Sequence, residues 1–257
     1  MTRFVAKARK LFKVLRHSDY RAALRIGRVA AAVEHERLLM TLRCATVVDI
    51  GANRGQFALV TRHCFPQARL ISFEPLSAPA KNFCDVFGAD PLVCLHRVAV
   101  GKQSGEAIIH VAGVDGSSSL LPITNLQTSL FPGTSEVRTE TVQVAPLEQL
   151  ITRDQLVAPA LLKIDVQGYE LDTLRGCESL LGEFDFVYVE CSFVELYQGQ
   201  ALAHDVCAYM GEHDFRLAGV YNLHYDSAGR AIQADFLFAN GSQFPRHSGA
   251  ASEVSYT

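Results

Sequence analysis

The stretch VVDIGANRGQF, Val47 to Phe57, sets an acid, two glycines and an amide between an apolar run and the start of a helix-like segment. A turn of this kind lets backbone approach a ligand. Gly51 allows the chain to turn sharply off a strand, and Gly55 removes a side chain at the helix entry. The first N–H groups of a helix have no intrahelical partner and suit a carboxylate as well as a phosphate. The dinucleotide fingerprint G-x-G-x-x-G does not fit, because its second and third glycine positions hold Asn53 and Gln56. Asp49 narrows the choice of ligand. A carboxylate at the end of a strand repels a pyrophosphate and attracts an ammonium, and a ligand with both carboxylate and ammonium is an amino acid. Glu74 closes the next apolar run, ISFEP, 23 residues after Gly51. An acid there can accept hydrogen bonds from both hydroxyls of a ribose. Amino-acid head, ribose and flat base together describe S-adenosyl-L-methionine (AdoMet).

The elements that must hold these residues follow from periodicity. TVVDIG (46–51), RLISFEP (69–75), LVCLHRVAVG (92–101), ALLKIDVQG (160–168) and FDFVYVECS (184–192) read as buried strands. Between them QFALVTRHCF (56–65), SAPAKNFCDVFG (77–88), YELDTLRGCESLL (169–181) and LAHDVCAYMGEHD (202–214) read as helices, and PLEQLITRDQL as a short one. GEAIIHVAG (105–113) and RTETVQVAPL (138–147) alternate as peripheral strands, with a Ser/Gly/Pro/Thr-rich loop at 114–136 between them. The two segments around SAGR form a terminal hairpin. This alternation predicts an α/β fold, a doubly wound and mostly parallel sheet closed by one antiparallel strand. Apolar residues at 3–4 spacing predict helices over 3–16 and 20–42, joined at HSD (17–19). The domain organisation expected is a basic helical segment (1–45), one catalytic domain (46–240) and a frayed polar tail (241–257).

Composition excludes several classes. The net charge of −3 conceals an asymmetry: residues 1–43 carry 11 Lys/Arg against 3 Asp/Glu, and the acidic remainder does not suit nucleic acid. The basic arm could meet an anionic membrane surface or an acidic partner, or pack as a solvated helix on the domain. No apolar run reaches the ~18 residues needed to span a bilayer, and no secretory signal is read. Seven cysteines, an odd number with no CxxC pair, argue against a disulfide framework or a cysteine zinc site. Reduced thiols in a cytoplasmic protein are expected.

VVDIGANRGQF, ISFEP and LLKIDVQGYELDTLRG resemble the FkbM-type AdoMet-dependent methyltransferases, as do SSSLLP, VYVECSFVELYQGQ and VYNLHYDSAGRAIQADFLF, in order and at family spacing over about residues 17–240. The resemblance implies a Rossmann-like class I methyltransferase with a seven-stranded sheet and a reversed last strand. It implies that Asp49, Gly51, Ala52, Asn53, Gly55 and Phe57 surround the methionine end of AdoMet. Glu74 and Pro75 would hold the ribose, Val98 and Ala99 would border the adenine, and Ser118 would join the lining. Asp165 would sit near the transferring methyl, and Glu34–His35 would roof the cofactor.

Methyl transfer needs an aligned acceptor, and a hydroxyl acceptor also needs a base. Asp165, Glu190 and His224 are candidate catalytic residues, with His35 a further one. Glu190 could instead pair with Lys163 or an N-terminal arginine. Asp165 with Glu170 could hold a divalent cation, although the resemblance requires no metal. The stretch GSSSLLP (116–122) could supply hydroxyls or act as a mobile lid over the site. The [N/D]-P-P-[F/Y] cradle of base-amino methylation is missing where KIDVQGYE stands. The resemblance implies as acceptor a small molecule or glycan bearing a hydroxyl: a sugar, a glycolipid or polysaccharide, or a secondary metabolite. A nicotinamide-dependent oxidoreductase is the alternative enzyme reading, disfavoured by the absence of a Tyr-x-x-x-Lys constellation. An AdoMet-binding protein without turnover is the non-enzymatic one.

Overall fold

A computed structural model describes residues 14–241. Most of the predicted 3–16 helix and nearly all of the polar tail lie outside the described residues. After α1 (Ser18–Ile26) and α2 (Glu36–Leu39), strands and helices alternate: β1 (Thr46–Ile50), α3 (Gln56–Cys64), β2 (Arg69–Phe73), α4 (Ser77–Phe87) and β3 (Val93–His96). A detour follows through β4 (Ala99–Val100), β5 (Gly105–Ala112), α5 (Asn125–Leu130) and β6 (Glu136–Ala145). The chain then returns through β7 (Ala160–Ile164), α6 (Glu170–Gly176), α7 (Glu178–Leu181), β8 (Phe186–Ser192) and α8 (Ala203–Glu212) to a hairpin, β9 (Phe215–Tyr225) and β10 (Ala231–Asn240).

Seven strands form one sheet in the order β3-β2-β1-β7-β8-β10-β9, parallel except for β10, which runs antiparallel to both neighbours. This is the Rossmann-like methyltransferase architecture that the sequence predicts. β1 and β7 are buried at every position, as central strands covered on both faces must be. Their residues alternate between two cores. Val48, Ile50, Leu162 and Ile164 face one core, and Val47 and Leu161 face the other. Tyr20, Ala23, Val29, Leu38 and Leu39 join that second core, so the N-terminal helices complete one face of the sheet. Burial of Leu38 and Leu39 contributes about 1.5–3 kcal/mol each.

Four local expectations are corrected. The helix predicted over 20–42 breaks at Gly27–Arg28. Arg28 takes a left-handed φ of 54°, and a Cβ on Gly27 would lie 2.6 Å from Val86 on α4. The single strand predicted over 92–101 divides, because the chain leaves the large sheet after His96 and β4 pairs with β6 in a separate three-stranded sheet. The predicted loop 114–136 contains a 3₁₀ turn at Asp115–Ser117, α5, and bridges of Ser119 to His110 and of Ile123 to Tyr197. The short helix predicted at PLEQLITRDQL is two 3₁₀ turns, Leu147–Gln149 and Arg153–Gln155. Among the described residues no helix is long and apolar enough to cross a membrane. All seven cysteines are unbridged.

Candidate functional site

Strand order reverses between β1 and β7, and in such sheets a crevice opens beyond the carboxyl ends of the strands. A cleft of about 290 Å³ lies there, near the lower end of small-molecule sites at ~300 Å³. Its floor is the turn after β1. Gly51 has φ +83°, and a Cβ on it would sit 1.9 Å from the Asp165 carbonyl oxygen at the end of β7. Only glycine lets these two strand ends approach so closely. Asn53 is also left-handed, at φ 48°. Its N–H donates to Glu74 Oε2 at 3.0 Å, while the Leu76 N–H donates to Glu74 Oε1 at 2.8 Å. Glu74 thereby ties the first turn to the second. Burial raises its carboxyl to about 7, against the pull of those two backbone donors.

Of the residues expected to hold a cofactor, Gly51, Ala52, Asn53, Phe57, Glu74, Pro75, Val98, Ala99, Ser118 and Asp165 all line the cleft. Asp49 and Gly55 do not. Asp49 is wholly buried inside β1, directly opposite Lys163 of β7, whose Nζ lies 3.3 Å from Asp49 Oδ1. It holds a lysine ammonium of the protein rather than facing a ligand. Gly55 is a packing glycine: at φ +94°, a Cβ would meet the Phe87 ring at 2.6 Å and the Phe83 ring at 3.0 Å.

Asp49 and Lys163 belong to a polar row across the sheet. In register stand Ser72 on β2, Asp49, Lys163 and Tyr188 on β8. Lys163 reaches the cleft, 3.5 Å from Asp165 Oδ2 and 5.4 Å from the Phe57 ring centroid. Burial pulls its ammonium down, but Asp165 and Asp49 outweigh that and carry it above its ordinary value. Burial raises the Asp49 carboxyl, with Lys163 opposing.

Among the candidate bases, Asp165 lines the cleft and His35 joins it. Asp165 Oδ1 accepts from Gln167 Nε2 at 2.7 Å. The same Gln167 nitrogen donates to Glu190 Oε2 at 2.8 Å, and Gln233 donates to Glu190 Oε1 at 2.8 Å. Gln167 therefore stands between Glu190 and the cleft, and Glu190, expected as a candidate base, is not among the residues lining it; where a pairing with Lys163 was the alternative, these two amides hold its carboxylate. Burial and then Asp165 raise the Glu190 carboxyl well above its usual range. His224 is exposed on β9, with Phe131 as its ring neighbour, and is likewise absent from the lining. Glu170 is buried with Oε1 accepting from the Val166 and Gly168 N–H groups. It shapes the turn after β7 and does not line the cleft with Asp165, so the suggested cation pair is not assembled. Ser118 accepts from the Ala112 N–H, and Ser119 exchanges backbone hydrogen bonds with His110. The serine stretch is thus pinned to β5 in the structure, rather than lying as a free lid.

His35 reaches the cleft from the short loop before α2. Its Nδ1 lies 3.0 Å from the Tyr188 hydroxyl and 3.6 Å from Asp235 Oδ2, and Asn222 completes the cluster. Burial lowers the imidazole pKa, with Asp235 opposing. Sequence reasoning passed over Lys163 and Gln167 as site residues. A usable signal existed for the first: two wholly buried strands, VVDI and LLKI, each carry one charge of opposite sign.

The methyltransferase FkbM domain model matches residues 49–217. The chain belongs to the FkbM methyltransferase family. The matched residues begin within β1, and α1 and α2 precede them. The chain is 29% identical over 165 residues to the 2-O-methyltransferase NoeI of Sinorhizobium fredii, which is 60% of this chain and 66% of that one. It is 25% identical over 146 residues to the hexuronic acid methyltransferase AglP of Haloferax volcanii, 55% of this chain and 54% of that one. It is 30% identical over 151 residues to methyltransferase 1 of Beauveria bassiana, 51% of this chain and 58% of that one. The matches therefore span just over half to just under two thirds of these relatives' own lengths.

Proposed function

We propose that this FkbM domain binds AdoMet in the cleft and methylates a hydroxyl of a sugar-bearing acceptor. The observation that carries the reading is the set of unpartnered acceptors beside Glu74. The side-chain oxygens of Asn53 and Gln56 are buried at the cleft without a hydrogen-bond partner among the described residues. Orphaned acceptors cost free energy unless a donor arrives, and the ammonium of an amino-acid group is such a donor. Glu74 offers carboxylate lone pairs to a ribose. Phe73, Leu76, Val98, Ala99, Ile109 and Leu120 supply an apolar slot for a flat base. The residues present therefore fit AdoMet.

When bound, AdoMet supplies an electrophilic methyl group. The chain's own residues orient the acceptor and move its proton. His35, kept neutral by burial, has Nδ1 engaged by Tyr188 and Asp235, which leaves Nε2 to accept a proton. Asp165, which also lines the cleft, is placed to hold an acceptor hydroxyl, with Lys163 and Gln167 fixing its carboxylate. The names of the relatives from Sinorhizobium and Haloferax, an O-methyltransferase and a hexuronic acid methyltransferase, support a sugar hydroxyl as the acceptor.

Calorimetric titration tests the cofactor. S-adenosylhomocysteine is expected to bind in the micromolar range and NAD not at all. Binding of NAD alone overturns the reading.

A further inference from the structure

Three side chains outside the cleft converge from separate elements. His17 immediately precedes α1, Glu36 opens α2, and His63 lies in the last turn of α3. Each offers one ligand atom, and the three atoms lie within 4.8 Å of one another. They form the only such group of three or more among the described residues. His17 occupies the N-cap position of α1 yet makes no capping hydrogen bond; its ring instead packs edge-on against His63, with centroids 4.4 Å apart. Glu36 is only 8% exposed.

His63 Nε2 lies 3.9 Å from Glu36 Oε1, beyond hydrogen-bond reach. Ligand atoms around a tetrahedral zinc stand about 3.3 Å apart, given metal–ligand bonds of ~2.0–2.1 Å. The His63–Glu36 edge exceeds this by about half an ångström, and the other separations in the group reach no more than 4.8 Å. A second observation points to the same spot. The Tyr20 hydroxyl is buried without a hydrogen-bond partner among the described residues. The Tyr20 ring packs on His17 and His63 at 5.1 and 5.6 Å.

We infer that His17, Glu36 and His63 form a binding site for a divalent transition metal, zinc by ligand chemistry. Two neutral imidazoles and one carboxylate suit a borderline cation and leave a fourth position for water. The site joins α1 and α2 to the end of α3, so its role is to fasten the N-terminal helices onto the domain. It uses no cleft residue and stands independently of the methyl-transfer reading.

The test uses the full chain, free of affinity tags, stripped with a chelator and kept reduced. Cobalt(II) is added while the visible d–d absorption is followed, and zinc is then added in competition. One equivalent of metal is expected, and zinc is expected to raise the thermal unfolding midpoint. His17→Gln and His63→Gln should each weaken binding at least about tenfold and abolish the thermal shift, with unchanged far-UV circular dichroism. His204→Gln, on the exposed surface, should change neither. Absence of stoichiometric metal, or binding that persists in the His17→Gln/His63→Gln double variant, overturns the proposal. S-adenosylhomocysteine affinity is read in parallel: the two histidine variants should retain it, so the metal site and the cofactor reading fail separately.

Discussion

Burial raises the Glu74 carboxyl, which opposes its proposed task as an acceptor for ribose hydroxyls, and lowers the His35 imidazole, which favours its task as a base. Burial lifts the Glu74 carboxyl to about 7, so it changes charge near neutrality. Its ionised form offers more acceptor sites to ribose hydroxyls than its protonated form. Affinity for S-adenosylhomocysteine should therefore rise as pH increases through about 7, and Glu74→Gln should flatten that dependence in calorimetry. Glu74→Ala should weaken binding about ten- to a hundredfold, the equivalent of ~1.5–3 kcal/mol for hydrogen bonds to a charged group. In the ligand-free protein the sign reverses. A folded value above the unfolded one means the group's contribution to stability is present below the unfolded value and lost as pH rises through about 7. His35 is lowered instead. Its base form should persist below the ordinary histidine value of about 6.5, placing the acid limb of kcat/KM there. His35→Gln should reduce kcat about a hundredfold, remove that limb and leave S-adenosylhomocysteine binding nearly intact.

Strands β1 and β7 show how two elements build the site together. Asp49 and Lys163 occupy the same register on adjacent buried strands, so each neutralises the other where water cannot. Removing one partner of a buried pair costs about 3–5 kcal/mol, because the remaining charge is left uncompensated. Lys163→Met should lower stability by that amount in denaturant unfolding, and Asp49→Asn added to it should restore a substantial part. A double variant no more stable than Lys163→Met would show that the pair is not the cause. The same strand ends explain why Glu190 is kept from the cleft. Gln167, left-handed at φ 58°, folds back after β7 and places its amide between Asp165 and Glu190.

At the scale of the molecule, the N-terminal helices complete both the core and the cleft. Tyr20 is 1% exposed within the core that covers one face of the sheet, and His35 follows in the same segment. Tyr20→Ala should cost about 3–5 kcal/mol, in the range of large aromatic truncations. It should also weaken S-adenosylhomocysteine binding, although Tyr20 lies outside the cleft; full affinity in the folded variant would show that this segment does not shape the site.

The sequence alone determined the order of the main-sheet strands and the helices between them, the Rossmann-like class, the first turn and the two acids, Glu74 and Asp165, that line the cleft. These are local signals. Glycine must occupy a left-handed turn, periods of 2 and 3.6 separate strands from helices, and an acid at a strand end must find a donor. The tertiary structure decided which polar groups face the ligand and which face each other. Asp49 looked like a cofactor contact until strand register set Lys163 opposite it. His224 looked like a base until the hairpin left it exposed on β9, while His35, distant in sequence, came to the cleft beside Tyr188 and Asp235. Register and packing are long-range properties. A one-residue slip of its strand would turn Asp49 or His224 to the other face, and no local pattern in the chain records that choice.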